Sequence, residues 1–314
     1  MAGTRKSHFL SRFYLGGFTR SGKKEDQFWV YSKVQQSTWR TRAENAGHQR
    51  DLSRMEGPQF DADHLENAFG SVESQIAPVL REIVQTRRLP SDPISMSLLL
   101  HLPALNAARP PAEIKTLADL TDMMLRALII EEFTPDLHAR IVSEWATAGR
   151  DVSNITDLEA LKRRIENGGI RAELDRNYLL THVLGRASVL VELLHRRSWA
   201  LLETNEPSGF FVCSDRPVSL LNNQHLAEDV QSRFDDPRFD VIMPLSKELC
   251  LVGHLYGRDG AGHASSNTVR FINYITEMGA ADMIYSPTKV YTAAKDDEPD
   301  VGERYKADVR LASS

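Results

Sequence analysis

In the stretch Leu65-Glu-Asn-Ala-Phe69-Gly-Ser-Val72-Glu-Ser-Gln-Ile76-Ala-Pro78-Val-Leu80-Arg-Glu-Ile83, the residues Leu65, Phe69, Val72, Ile76, Leu80 and Ile83 fall 4, 3, 4, 4 and 3 positions apart. That spacing puts all six on one face of a helix. Pro78 inside the run predicts a kink or a break. Further helices are expected over 93–106, 113–131, 135–148, 155–166 and 170–197, separated by Arg109-Pro110-Pro111, Thr134-Pro135 and Gly168-Gly169, with Thr134 and Ser153 or Asn154 as N-caps.

On either side of this helical run the pattern turns to β. Upstream, Phe13-Tyr14-Leu15 and Phe28-Trp29-Val30-Tyr31 suit short strands joined by a loop holding Gly16, Gly17 and Gly22. Downstream, residues 199–204 and Phe210-Phe-Val-Cys213 read as one hairpin, and Val241-Ile-Met with Leu249-Cys-Leu-Val252 as another. Residues 265–283 read as a helix, and Met283-Ile-Tyr285 as a last strand. The expected fold is α+β: a central helical block inserted between N-terminal and C-terminal β pieces that share one small, mainly antiparallel sheet. Four segments follow: an N-terminal β segment with a basic arm (1–57), a helical region (58–197), a C-terminal α+β part packing with the N-terminal segment (198–290) and an acidic flexible tail (291–314).

With 314 residues, 41% of them hydrophobic, the chain can bury a sizeable core. The net charge of −5 argues against a surface coated in basic groups, yet Arg5, Lys6, Arg12, Arg20, Lys23 and Lys24 run with no acid among them, and the tail carries Asp296, Asp297, Glu298, Asp300 and Glu303. Cys213 and Cys250 lie in apolar runs, so no disulfide partner is expected. No apolar stretch reaches the roughly 18 residues of a membrane span, and no signal-peptide core follows the basic start, which points to the cytoplasm. There is no Walker A loop, GxGxxG or GxSxG, so P-loop, Rossmann and α/β-hydrolase chemistries have no sequence support.

Polar groups at element ends are the candidates for a site. Asp215 follows an apolar run inside Ser214-Asp-Arg216-Pro217, where it either carries chemistry or caps a turn. His8, six residues before Tyr14, offers an imidazole as general base, metal ligand or phosphate-binding hydrogen-bond donor. Arg109 precedes two prolines and offers a permanent cation to phosphate or carboxylate, or closes a helix. Glu66 and Glu73, seven apart, share a helical face and are expected not to join Asp215 around a metal. His182 and His195, thirteen apart, lack the spacing of a helical metal pair.

His8-Phe-Leu-Ser-Arg-Phe-Tyr-Leu15, Trp29-Val-Tyr31, Arg109-Pro110, Ser214-Asp-Arg-Pro-Val218 and Pro244-Leu-Ser246, taken in order along nearly the whole chain, resemble DUF4238, a mostly bacterial family without an assigned activity. Ser11 stands where that family usually has proline, and Arg216 where it has asparagine. The resemblance implies that His8, Tyr14, Arg109 and Asp215 gather in one cluster. Around it Arg12, Ser214, Arg216 and Asn273 are expected to contact substrate, with Asn273 bonded to the turn at 214–217.

These groups suit a hydrolase acting on phosphodiesters, nuclease-like and using a divalent metal if one is needed, with nucleic acid or nucleotide as partner. The competing expectation is a binding or regulatory protein in which His8 and Asp215 only tie the two β pieces together; a defence effector is a third. Burial separates the first two: sealed and satisfied groups favour structure, whereas groups opening into a pocket with Arg109 favour chemistry.

Overall fold

The structure, a computed structural model, describes residues 6–172, 174–222, 234–255, 257–294 and 299–313. Its elements in chain order are β1 (Lys6–His8), α1 (Arg12–Gly16), β2 (Gln27–Ser32), β3 (Ser37–Arg42), β4 (His48–Arg50), α2 (His64–Thr86), α3 (Pro93–Ala108), α4 (Pro111–Glu132), α5 (Pro135–Thr147), α6 (Leu158–Glu166), α7 (Arg176–Leu194), β5 (Ser198–Glu203), β6 (Cys213–Ser214), β7 (Ser219–Asn222), β8 (Phe239–Pro244), β9 (Leu249–His254), β10 (Gly260–His263), α8 (Ser266–Gly279), β11 (Met283–Ser286) and α9 (Pro299–Ala312). A helical block, α2 to α7, lies between N-terminal and C-terminal strands, and the fold is α+β.

The N- and C-terminal β pieces do share a sheet. Its order is β3-β2-β11-β6, antiparallel throughout, with Val30 of β2 opposite both Trp39 and Tyr285. The C-terminal strands also build a second sheet, β10-β5-β9-β8-β7, antiparallel except for the β10–β5 edge. Every residue of β8 and β9 is buried, which is why their centres, Val241-Ile-Met243 and Leu249-Cys-Leu-Val252, read as apolar runs rather than alternating ones. One face of this sheet carries Ala200, Leu202, Ile242, Cys250 and Val252, packed with Val269, Ile272 and Ile275 of α8. Gly253 is held by close approach: a Cβ there would sit 2.7 Å from the Trp199 ring.

Several local expectations need correction. Residues 13–15 form a helical turn, not a strand; Ser11 is extended and starts α1, which buries Tyr14, Leu15 and Gly16. Tertiary burial overrides the strand preference of the aromatics here. The partner of β2 is therefore β3, across the turn at 33–36. The hairpin expected between 199–204 and 210–213 does not form. The Asn273 amide occupies the Phe210 carbonyl and the Val212 N–H, and Phe211 N–H donates to the Lys247 carbonyl, so only Cys213 and Ser214 reach a ladder. Pro78 neither breaks nor ends α2, where it lies on the exposed side, so the carbonyl it leaves unbonded can face solvent. Thr134 caps α5 as expected, but α6 starts later than expected, at Asp157, which accepts from Glu159 and Ala160 N–H.

The segment expected as a flexible tail contains α9, because its apolar residues find a core. Tyr305 and Val309 are fully buried against the β5–β9 face, and Asp308 accepts from Ser265 N–H (2.8 Å) and the Thr268 hydroxyl (2.6 Å) at the start of α8. The chain divides into two compact units, Met1–Ala112 with Leu180–Ser314, and Glu113–Leu179, so the helical region expected over 58–197 is split between them. The smaller unit has its own core of Phe133, Leu161 and Ile165, with Ile130, Leu137 and Ile141 packed against it.

Candidate functional site

Three elements bring Arg109, His8, Glu66 and Glu73 into one polar cluster. Arg109 closes α3, its N–H donating to the Leu105 carbonyl, and the residue is only 4% exposed. The guanidinium lies over the Phe69 ring, 4.1 Å from its centroid, and Nη1 donates to Glu73 Oε1. Phe69 and Glu73 are one turn apart on the face of α2 that also carries Glu66. A buried guanidinium needs all its donors engaged, yet Arg109 Nε is buried with no partner among the described residues.

His8 reaches the cluster from β1, which pairs with β4 so that His8 lies opposite His48, ring edge to ring face at 5.5 Å. Its Nε2 is likewise buried without a partner among the described residues, while the Glu44 carbonyl hydrogen-bonds the ring. Burial, then the neighbouring His48, Arg12 and Arg109, lower the His8 pKa to about 4, so the ring is neutral at pH 7. Glu66 moves the other way. Burial raises its pKa against the opposing pull of Arg109 and the Ser53 hydroxyl, and its Oε2 is likewise buried without a partner among the described residues. The two shifts run in opposite directions beside a fixed cation, the histidine below its ordinary value and the glutamate above its own. Beside Arg109 lies a crevice of about 10 Å³, the size of one water, lined by Phe9, Ser11, Glu73 and Asn106 among others.

Phe9 is also a wall of a larger pocket of about 280 Å³, with Trp39, Asn45, His48, Asp215, Asp282 and Tyr285 around it. The two sequence segments that drew attention meet here, but Asp215 enters with its carboxylate already filled. Oδ1 accepts from Ala281 N–H (2.9 Å), and Oδ2 from Asp282 N–H (2.9 Å) and Met283 N–H (3.1 Å). Its own N–H donates to the Met283 carbonyl. Asp215 is thus a clamp between β6 and β11; burial nevertheless raises its pKa, with the three amides opposing.

Tyr14, expected in the same cluster, is fully buried elsewhere: its hydroxyl donates to the Pro244 carbonyl (2.7 Å) and accepts from Cys213 Sγ (3.3 Å). Burial pushes the Cys213 thiol up to about 12, so Cys213 behaves as an inert core residue. Ser214 shapes the turn, its hydroxyl donating to the Arg216 carbonyl and accepting from Arg216 N–H. Asn273 is fully buried, but its partners are Phe210, Val212 and Thr292 rather than the turn at 214–217. Arg12, exposed at the start of α1, is within electrostatic reach of His8. Of the expected cluster, then, His8 and Arg109 come within electrostatic reach of each other, Asp215 lines the pocket behind Phe9 with its carboxylate engaged by three amides, and Tyr14 is bonded to Pro244 and Cys213.

Sequence reading set Glu66 and Glu73 aside as metal ligands beside Asp215 and did not single out His48. Their available signal was the α2 face itself, since a glutamate one or two turns from Phe69 on the apolar side has to be at least half-buried. Among the described residues no three His, Cys, Asp or Glu side chains converge as metal ligands, and Glu66 and Glu73 do not join Asp215. No helix of the described residues is long and apolar enough to cross a membrane.

Compared with known families, residues 6–289 match the family model described as "Protein of unknown function (DUF4238)". No curated protein and no solved structure matches.

Proposed function

The chain belongs to the DUF4238 family, and on that premise we propose that it is a hydrolase acting on a phosphodiester, with His8 and Glu66 as base and acid around Arg109. One observation carries this reading: among the described residues three polar atoms of this cluster, His8 Nε2, Glu66 Oε2 and Arg109 Nε, are buried and unpartnered, and Arg109 also lines a water-sized crevice. Native proteins rarely leave such atoms idle without a functional reason. In the step this supports, a water oxygen attacks phosphorus and its proton passes to neutral His8. The bond from phosphorus to the leaving oxygen breaks, and that oxygen takes the proton of the Glu66 carboxylic acid. Arg109 faces the charge that develops. The adjoining pocket behind Phe9 is where the substrate would lie.

The test is cleavage of RNA, single-stranded DNA and duplex DNA, with Mg²⁺, Mn²⁺ or EDTA, by the wild type and by folded His8→Ala and Glu66→Gln variants. The expected result is cleavage of at least one substrate and a loss of about 100-fold or more in each variant. Absence of cleavage by the wild type under every condition, or full activity in His8→Ala, would refute the reading.

A second reading, a binding or regulatory protein whose motifs are structural, is favoured by the complete engagement of the Asp215 carboxylate. It predicts that Asp215→Ala and His8→Ala both act on stability alone.

A further inference from the structure

Away from the Arg109 cluster, the loop after α1, the middle of α2 and the turn between β8 and β9 enclose a cleft of about 430 Å³, within the size range of small-molecule sites. Phe13, Leu80 and Leu245 supply apolar wall, and Lys23, Lys24, Arg81 and Lys247 bring four cations against the two acids Glu25 and Glu248. Not all four cations are available. Lys247 Nζ donates to the Arg20 carbonyl (2.8 Å) and pairs with Glu248 (3.4 Å), and Lys24 Nζ lies 4.0 Å from Glu25. Glu248 is further occupied by Arg87. Lys23 Nζ and the Arg81 guanidinium make no hydrogen bond or ion pair among the described residues.

The backbone is shaped for the same purpose. Gly17 lets the loop lie against the β8–β9 turn, since a Cβ there would stand 3.1 Å from the Leu245 carbonyl oxygen. Gly22, between Ser21 and Lys23, adopts φ +72° with open space around its missing side chain, so a ligand can approach the main chain closely.

We propose that this cleft is a binding site for a phosphate-bearing ligand of nucleotide size, with the phosphate between Lys23 and Arg81. A planar guanidinium and a mobile ammonium are a complementary pair for a phosphate, one bidentate and one a point charge. The site does not depend on hydrolysis at the Arg109 cluster. The two are linked by α2, on which Glu73 and Arg81 are eight residues apart, about 12 Å along the axis.

The proposal is tested by calorimetric titration with inorganic pyrophosphate, a nucleoside triphosphate and a five-residue oligothymidylate. The proteins are the wild type, Lys23→Ala/Arg81→Ala, His8→Ala and Lys289→Ala, a cation outside the cleft, each checked for folding by thermal melting. At least one probe should bind the wild type, weaken with added salt, lose tenfold or more affinity in the double variant, and keep its affinity in His8→Ala and Lys289→Ala. Preference among the probes distinguishes a bare phosphate group from a nucleotide or a nucleic-acid strand as its source. No binding of any probe, unchanged affinity in the double variant, or loss in His8→Ala would overturn the assignment; failed cleavage with intact binding would overturn only the hydrolytic reading.

Discussion

His8 and Asp215 look alike in sequence, each a polar residue beside an apolar run, but their hydrogen bonds separate them. Three amides converge on Asp215, and Asp215→Ala leaves those donors buried without an acceptor. A loss of about 3 kcal/mol is expected, read from urea unfolding. His8 has a nitrogen without a partner among the described residues and a pKa lowered to about 4 from 6.5. The unfolded chain therefore takes up the proton first as pH falls. The contribution of this site is complete above pH 6.5, declines between 6.5 and 4, and is constant below. A His8→Gln variant should flatten the pH dependence of stability in that window, which unfolding midpoints at pH 7 and pH 5 measure. Single residues drew attention to His8 and Arg109 as well as to Asp215. They could not separate Asp215 from them, because a strand-end carboxylate looks the same whether amides or solvent face it.

Elements were legible where periodicity was strong and long. The α2 face, the β8–β9 hairpin and the α8–β11 succession all follow from apolar spacing. Errors fell where a short segment was fixed by a distant side chain, as with Asn273 over residues 210–212 and burial over α1. The role of α1 is to latch the N-terminal segment to the C-terminal sheet: Tyr14 bonds the Pro244 carbonyl, and Lys247 N–H donates to the Gly17 carbonyl. Tyr14→Phe removes one buried hydroxyl and leaves the Pro244 carbonyl short of a donor. Its expected cost is about 1–2 kcal/mol in urea unfolding, with the cluster at Arg109 undisturbed. A change in His8 titration in this variant would contradict the separation of Tyr14 from that cluster.

At the scale of the molecule, residues from both ends of the sequence build one sheet, and β1, α2 and α3 deliver a single polar centre. That much of the fold was readable, because an apolar helical block between two β regions has to let the β pieces meet. The centre itself was only half-readable, since the depth at which Glu66 and Glu73 sit depends on how α3 crosses α2, and local spacing does not encode that. The Lys23–Arg81 cleft was foreshadowed by the basic run that ends at Lys24, but its second wall comes from α2 and its third from the β8–β9 turn. The central claim, that His8, Glu66 and Arg109 form one buried acid–base centre, is tested most directly by NMR titration of the His8 imidazole in the wild type and in Arg109→Gln. The account predicts a neutral ring at pH 7, protonation near pH 4, and a rise in that value when the Arg109 cation is removed; titration near 6.5 in both proteins would contradict it.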